Sequence, residues 1–267
     1  MVLRASHGDL GVDEHLIGDG LWQRMLEALR REPYMHLSNP DRLRRFVSAC
    51  FVVLRRNCTW AELGCFVPSA EAAKRRFRRW AKKGVWDRLL QHSQPVAGPD
   101  VLHIDSTAIK CHRTATGARG GGEEAIGRSR GGLTTKVHHA VDSLGFVRRL
   151  LTSPGQHADC RHAPALTESF KPVAVVADKA YDTDTLRDHW RAQGISTCVP
   201  PKCNRLVQHA YNEALYRTRH MVKNSFCRLK DHRRLSLRLD KTETSFRAFA
   251  CFAAALMNLK LKLKLCP

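Results

Sequence analysis

Two aspartates stand at the ends of short apolar runs that are typical of buried strands. Asp105 follows Val101 to Ile104, and Asp178 follows Val173 to Ala177. A carboxylate at the end of such a strand lies at the rim of a sheet, where open α/β folds place their sites. Two carboxylates can bind one divalent cation, and magnesium favours one or two of them together with waters and a phosphate-bearing substrate. Either aspartate alone could be a turn residue or a helix cap, whereas the pair indicates a metal site.

The charge balance of the chain points to a polyanionic partner. Its 267 residues include 45 Lys and Arg against 25 Asp and Glu, which gives a formal net charge of +20. A surplus of this size favours binding to nucleic acid, although a basic surface that is merely soluble is the alternative. The 43% hydrophobic content is enough for a packed core.

Part of this positive charge is concentrated on one predicted helix, which begins near the N-cap candidate Ser69 and runs to about Lys83. A capping box at Thr59 and Glu62 predicts a short helix before it. A short helix, a turn and a longer helix are the arrangement of a helix-turn-helix unit. The basic side chains could contact phosphates or base edges, or they could form only a solvated face. They are Arg75, Arg76, Arg78, Arg79 and Lys82.

Two further basic segments are candidates for DNA contact. Residues 117–132 are rich in glycine and include Arg119, Arg128 and Arg130, which predicts a mobile basic loop that contacts DNA or only connects two strands. A helix is predicted over residues 210–231, where steps of three, four and seven place four side chains on one face. A solvated charged face is again the alternative. The four residues are Tyr216, Arg219, Lys223 and Lys230.

The order of elements predicts an α/β fold, with a ribonuclease-H-like mixed sheet flanked by helices. Strands are predicted at 101–107, 133–141, 146–151, 173–181 and 195–201, with helices from about 157, over 183–193 and over 245–261. In that topology the first and fourth strands are neighbours, so Asp105 and Asp178 should lie side by side. Asp182 is the predicted cap of the 183–193 helix. The tail, residues 259–265, is ambiguous between strand and helix.

The N-terminal third is predicted to be helical and to form a small domain of its own. Helices are expected over residues 14–31, from Pro40 onwards with Asn39 as the N-cap, and from Ser69 to about Lys83. Residues 91–99 contain two prolines and a glycine and are typical of a linker. We therefore predict a helix-turn-helix-like DNA-binding domain at 1–94 and a catalytic domain at 95–267.

Several protein classes are disfavoured by the sequence. The ten cysteines contain no C-x-x-C pair, which argues against a zinc framework and a disulfide scaffold and favours buried thiols in a reducing cytoplasm. Residues 1–20 include the charged side chains Arg4, Asp9, Asp13 and Glu14, among others, and do not resemble a secretory signal. The longest apolar stretch, 246–259, is shorter than the ~18 residues of a membrane span. A soluble cytoplasmic protein with no membrane partner is expected.

Five segments together resemble the DDE transposases of bacterial insertion sequences, specifically the insertion-sequence-five type. Leu102–Thr107 resembles the family's first acidic motif, and Ala177–Asp182 resembles the second. Ala125–Lys136 resembles the segment between these motifs. Arg75–Trp80 and Gly84–Trp86 resemble the end of the family's N-terminal helical domain.

The resemblance implies that the protein binds double-stranded DNA at the terminal inverted repeats of a mobile element and cuts and rejoins it there. It implies Mg²⁺ or Mn²⁺ as cofactor, with Asp105 and Asp178 as metal ligands, and a homodimer that bridges two ends. The family's third motif is Tyr, two residues, Arg, three residues, Glu, six residues, Lys. Its spacing falls on Tyr216, Arg219, Lys223 and Lys230.

Lys223 therefore stands where the family has its third carboxylate. A charged ammonium has no lone pair for a metal, but it could pair with the two aspartates in place of a second cation. Glu213 and Asp231 are displaced along the predicted helix by roughly 12–15 Å at 1.5 Å per residue, so neither replaces the missing ligand convincingly. Three interpretations stay open: an active transposase, a catalytically silent protein that binds element ends, and a different ribonuclease-H-like nuclease.

Overall fold

A computed structural model describes residues 16–33, 39–64, 67–117 and 125–265, so Arg119 and part of the glycine-rich segment lie outside the described residues. Four helices come first: α1 Asp19–Arg30, α2 Pro40–Arg56, α3 Ala70–Lys82 and α4 Val85–His92. Their starts follow the predicted caps, since Asn39 Oδ1 accepts the Arg42 N–H at 2.8 Å and Ser69 Oγ accepts the Ala72 N–H at 3.2 Å. The capping box of Thr59 and Glu62 is also present, but it opens a single 3-10 turn, Trp60–Leu63, rather than an α-helix.

The chain then builds a mixed sheet from seven strands: β1 Val101–Cys111, β2 Gly127–Ser129, β3 Gly132–Asp142, β4 Val147–Pro154, β5 Ala174–Val176, β6 Ser196–Cys198 and β7 Leu237–Arg238. Strand β1 is central, because it pairs antiparallel with β3 on one side and parallel with β5 on the other. With β4 beside β3 and β6 beside β5, the main strands lie in the order β4–β3–β1–β5–β6. This is the ribonuclease-H-like order predicted from the sequence.

The remaining helices are α5 Ala163–Thr167, α6 Asp184–Ala192, α7 Glu213–Arg217, α8 His220–Lys230, α9 Arg233–Ser236 and α10 Glu243–Leu265. The ambiguous tail therefore continues α10. The prediction of one helix over residues 210–231 is wrong, because the chain tightens between α7 and α8. There, the N–H groups of Thr218 and Arg219 donate to carbonyl groups three residues back rather than four, at 3.1 and 3.0 Å.

Apolar side chains cover both faces of the sheet. On one face Leu102, Ile104 and Ala140 pack with α5 and α6. On the other, Val137 and Val141 join one continuous cluster with α8, α10 and the four N-terminal helices. The helical region thus shares its core with α10, and a domain boundary after residue 94 stays a prediction. Among the described residues, none of the helices has the length and apolar character that crossing a membrane requires.

Candidate active site

Asp105 lies on β1, and Asp178 follows the end of the neighbouring parallel strand β5 by two residues. His103 is paired with Val176, and each aspartate comes two residues after its member of that pair. The local backbone orients both carboxylates: Asp105 Oδ1 accepts the Ser106 N–H at 2.8 Å, and Asp178 Oδ1 accepts the Ala180 N–H at 2.8 Å. The second oxygen of each carboxylate is left for a shared partner.

That shared partner is the guanidinium group of Arg219. Its Nη2 donates to Asp105 Oδ2 at 2.6 Å and to Asp178 Oδ2 at 3.1 Å. The backbone that holds Arg219 is tied to β1, because Thr218 Oγ1 lies 2.7 Å from His103 Nε2. His103 and Asp105 project from the same face of β1, so two adjacent residues of the α7–α8 junction contact two successive side chains of that face. The tertiary contact lies at the point where the helix tightens.

The electrostatics of the pair follow from this arrangement. Burial raises the pKa of the Asp105 carboxyl, and the nearby Asp178 and Asp159 carboxylates act in the same direction. The Arg219 guanidinium and the Ser106 N–H oppose them by favouring the charged form. The Arg219 guanidinium therefore offsets part of the effect of burial on the pKa of Asp105.

Lys223 is not the residue that supplies this cation. It lies one turn into α8 with its side chain exposed, and no ion pair joins it to either aspartate within the described part of the chain. The suggestion that Lys223 takes the place of a second cation is corrected: Arg219 takes it. Tyr216 lies half-buried on α7 with its ring 5.5 Å from that of Tyr211, and Lys230 is exposed at the end of α8. Tyr216 therefore lies on a different helix from Lys223 and Lys230, and Arg219 is the N-cap of their helix.

The donor set suits a divalent ion bound largely by its substrate. Among the described residues, no group of three His, Cys, Asp or Glu side chains is placed to hold a metal ion. Asp105 and Asp178 nevertheless converge, and Mg²⁺ is commonly held by one or two carboxylates with waters and phosphate oxygens completing its shell. The two aspartates fit such a site on condition that Arg219 releases them.

One acid near the pair was missed as a site residue in the sequence. Asp159 falls at the start of the helix predicted from about residue 157, and it opens a 3-10 turn, Asp159–His162, which packs against the turn capped by Asp178. Its carboxylate accepts a hydrogen bond from Lys136 Nζ at 2.8 Å. Strand β4 runs parallel to β1, so the residues that follow it reach the same edge of the sheet as Asp105. That strand-end position is the signal that could have identified it.

The predicted DNA-contacting arginines differ in their exposure. Arg75, Arg78, Arg79 and Lys82 are exposed on α3, and Arg128 and Arg130 are exposed at the hairpin of β2 and β3. This part of the glycine-rich segment is therefore a hairpin rather than a loop. Arg76 is half-buried, with its guanidinium 4.6 Å from the Phe46 ring centroid and 5.1 Å from that of Trp80. Its position indicates a packing role, because the guanidinium group already makes cation–π contacts with both rings.

Asp182 follows the second aspartate closely but has a different role from the one predicted. Thr183 caps α6, and the Asp182 side chain is buried against Arg187, Arg205 and the Lys202 N–H. Its carboxylate is fully paired within the protein and anchors a neighbouring loop. This leaves Asp178 as the acid of this segment that faces Asp105.

Comparison with known proteins agrees with the site. Residues 97–259 match the family described as Transposase DDE domain, and residues 17–90 match the Putative transposase of IS4/5 family. A putative transposase for insertion sequence element IS6501 from Brucella ovis is 37% identical over 131 residues, which are 48% of this chain and all of that protein. The transposase for IS1106 from Neisseria meningitidis serogroup B is 31% identical over 100 residues, 35% of each chain.

Among solved structures, a piggyBac transposase synaptic complex with hairpin DNA is similar over 68% of this chain and 47% of the piggyBac chain, at 11% sequence identity and a TM-score of 0.40. A similarity of that size supports no argument about this protein. The family matches span both the helical region and the sheet that holds the two aspartates. The chain belongs to the DDE transposases, within the IS4/5 family of insertion-sequence transposases.

Proposed function

We propose that this transposase binds the terminal inverted repeats of its element as double-stranded DNA and catalyses strand cleavage and strand transfer there. The observation that carries the proposal is the convergence of Asp105 and Asp178, with a basic side chain between them. The exposed arginines of α3 and the excess of positive charge support DNA as the partner.

In this proposal Asp105 and Asp178 hold Mg²⁺ or Mn²⁺. The bound ion would activate water or a 3′-hydroxyl for in-line attack on a phosphodiester and stabilise the leaving oxygen. Arg219 would release the carboxylates to such an ion, and its guanidinium would then be available to bind a phosphate of the DNA. Lys223 and Lys230, both exposed on α8, add positive charge for the same backbone.

A second candidate function is binding of the element ends without cleavage. Two observations favour it: Lys223 stands at the family's third acidic position, and Arg219 already pairs with both aspartates. A site with two carboxylates already paired to a guanidinium attracts a divalent ion less strongly than a site with three carboxylates. In both candidate functions two copies of the chain bridge two ends, as the resemblance implies.

The experiment that separates these functions measures binding and cleavage on the same DNA. Duplexes with the element's own end and with a scrambled end are compared by fluorescence anisotropy, and cleavage is then followed with Mg²⁺ or Mn²⁺. We expect preference for the true end and cleavage that the Asp105→Asn variant loses. Binding without cleavage would establish the second function, and equal binding to both duplexes would contradict end recognition.

A further inference from the structure

The segment that joins β6 to α7, residues 199–212, carries two adjacent aliphatic side chains on its outside. Leu206 is fully exposed and Val207 is 64% exposed. Single exposed aliphatic side chains are ordinary on protein surfaces, and Leu144 in the turn after β3 is an example at 60%. Two neighbouring branched side chains at the tip of one loop form a small apolar projection that water solvates poorly.

The base of this projection is firmly anchored. The buried Asp182 carboxylate accepts the Lys202 N–H at 2.8 Å and lies 3.1 Å from Arg205 Nε. The Gln208 side-chain amide donates to the carbonyls of Lys202 at 3.2 Å and Arg205 at 2.9 Å. Anchors at 202, 205 and 208 enclose residues 206 and 207. The two aliphatic side chains are thus held outward, and they are not free to fold back at low cost.

The same loop begins and ends at the edge of the sheet that carries the acid pair. Cys198, the last residue of β6, is paired with Val176, two residues before Asp178. The far end of the loop returns to this point, where Cys198 Sγ lies 3.2 Å from the Asn212 carbonyl oxygen, and it leads through α7 to Arg219. Asp182, which anchors the tip, comes four residues after Asp178. The loop that carries the projection therefore starts and ends at the rim of the candidate active site.

We propose that Leu206 and Val207 form an apolar wedge that inserts between stacked base pairs of the bound DNA beside the cleaved phosphodiester. This inference rests on the proposed DNA-binding function. A duplex is the occupant that the charge of this region favours, because Lys202 and His209 flank the tip in the chain and Arg217 is exposed on the following helix. Basic side chains of this kind contact phosphates. Apolar side chains from a rigid mount are what proteins insert to unstack a base step and kink DNA.

The test uses a duplex of the element's end with 2-aminopurine placed in turn at each position near the terminus, in EDTA so that no chemistry occurs. The fluorescence of this base rises when it loses its stacking neighbours. A double variant, Leu206→Ser with Val207→Ser, is compared with the unaltered protein. Leu144→Ser is the matched control on a distant turn, and Leu206→Met keeps an apolar tip. Anisotropy reports binding separately, and thermal unfolding confirms that each variant is folded.

We expect a several-fold rise in fluorescence at one or two positions with the unaltered protein, with Leu206→Met and with Leu144→Ser. The double variant should bind the duplex and lose that rise. Equal profiles for the double variant and the unaltered protein, or no rise with either, would overturn the wedge while leaving DNA binding intact. If the double variant leaves the fluorescence profile unchanged and alters only the mass of the protein in analytical ultracentrifugation, the tip forms a contact between copies of the chain and the wedge is overturned. Absence of binding by anisotropy would refute the proposed function and the wedge together.

Discussion

Replacement of Arg219 by glutamine should increase the affinity of the DNA-free protein for Mn²⁺. The guanidinium donates to Asp105 at 2.6 Å and to Asp178 at 3.1 Å, and a metal ion must displace both hydrogen bonds. The side chains of Arg219 and Asp105 are each 13% exposed and that of Asp178 is 32% exposed, so water screens the contacts only in part.

The expected magnitude follows from those two contacts. Hydrogen bonds between charged groups contribute about 1.5–3 kcal/mol when buried, and exposed ion pairs contribute about 0–1 kcal/mol. At this partial exposure we take about 1 kcal/mol for each contact. Their loss should therefore favour metal binding by about 2 kcal/mol, which is roughly 30-fold in the dissociation constant.

Electron paramagnetic resonance of free Mn²⁺ measures this affinity at pH 7.5 without DNA and without any reaction. Arg217→Gln is the matched control, since it removes one exposed positive charge two residues away that has no contact with the aspartates. A dissociation constant for Arg219→Gln within threefold of that for Arg217→Gln would refute the idea that Arg219 and the metal compete for the two carboxylates.

Three further predictions concern DNA affinity and stability. Arg78→Gln should weaken DNA binding and reduce the slope of log affinity against log salt by about 0.9, because one phosphate contact releases its counterions. Asn258→Leu should lower the free energy of unfolding by about 2–4 kcal/mol, because the N–H and C=O of Val147 lose their buried partner. Burial lowers the pKa of three histidines, to about 3 for His138 and His139 and to about 4 for His232. The free energy of unfolding should therefore fall between pH 7.5 and 5.5, by about 1.4 kcal/mol for each histidine that stays neutral when folded.

Each of these predictions has its own check. For DNA binding, Arg76→Gln should leave the salt slope unchanged and cost stability instead, because its guanidinium packs on two rings; equal slopes for Arg76→Gln and Arg78→Gln would contradict this. Urea unfolding of Asn258→Leu with a change below about 0.5 kcal/mol would show that the two groups find other partners. For the histidines the unfolded state binds more protons below pH 6.5, so stability that stays level down to pH 5.5 would contradict their neutral burial.

The sequence was sufficient to predict the neighbouring positions of Asp105 and Asp178. Each ends an apolar run, and the order of strands and helices specifies which strands are adjacent, because parallel strands need a crossover between them. The caps at Asn39 and Ser69 were equally accessible, since a cap depends on three or four consecutive residues. Local patterns of this kind survive folding because their partners are close in the chain.

The role of Arg219 could not be predicted in the same way. Its contact with the aspartates depends on the tightening at Thr218, whose side chain contacts His103, more than a hundred residues earlier. The helical pattern over residues 210–231 contains no sign of that contact. The role of Asp182 could not be predicted either. Its carboxylate pairs with Arg205 and accepts the Lys202 N–H, both on a later loop, and the adjacent Thr183 caps the helix instead. Long-range pairing of charges overrode the local preference in both places.

We propose that Asp105, Asp178 and position 223 together determine whether this transposase cuts DNA. Cleavage of a duplex with the element's own ends, in Mg²⁺ or Mn²⁺, should be compared for the protein as it stands and for Lys223→Glu. We expect Lys223→Glu to restore the third carboxylate and to cut faster than the unaltered chain. Equal cutting by both would contradict the claim and would transfer the third ligand to another acid, of which Asp159 is the first to test.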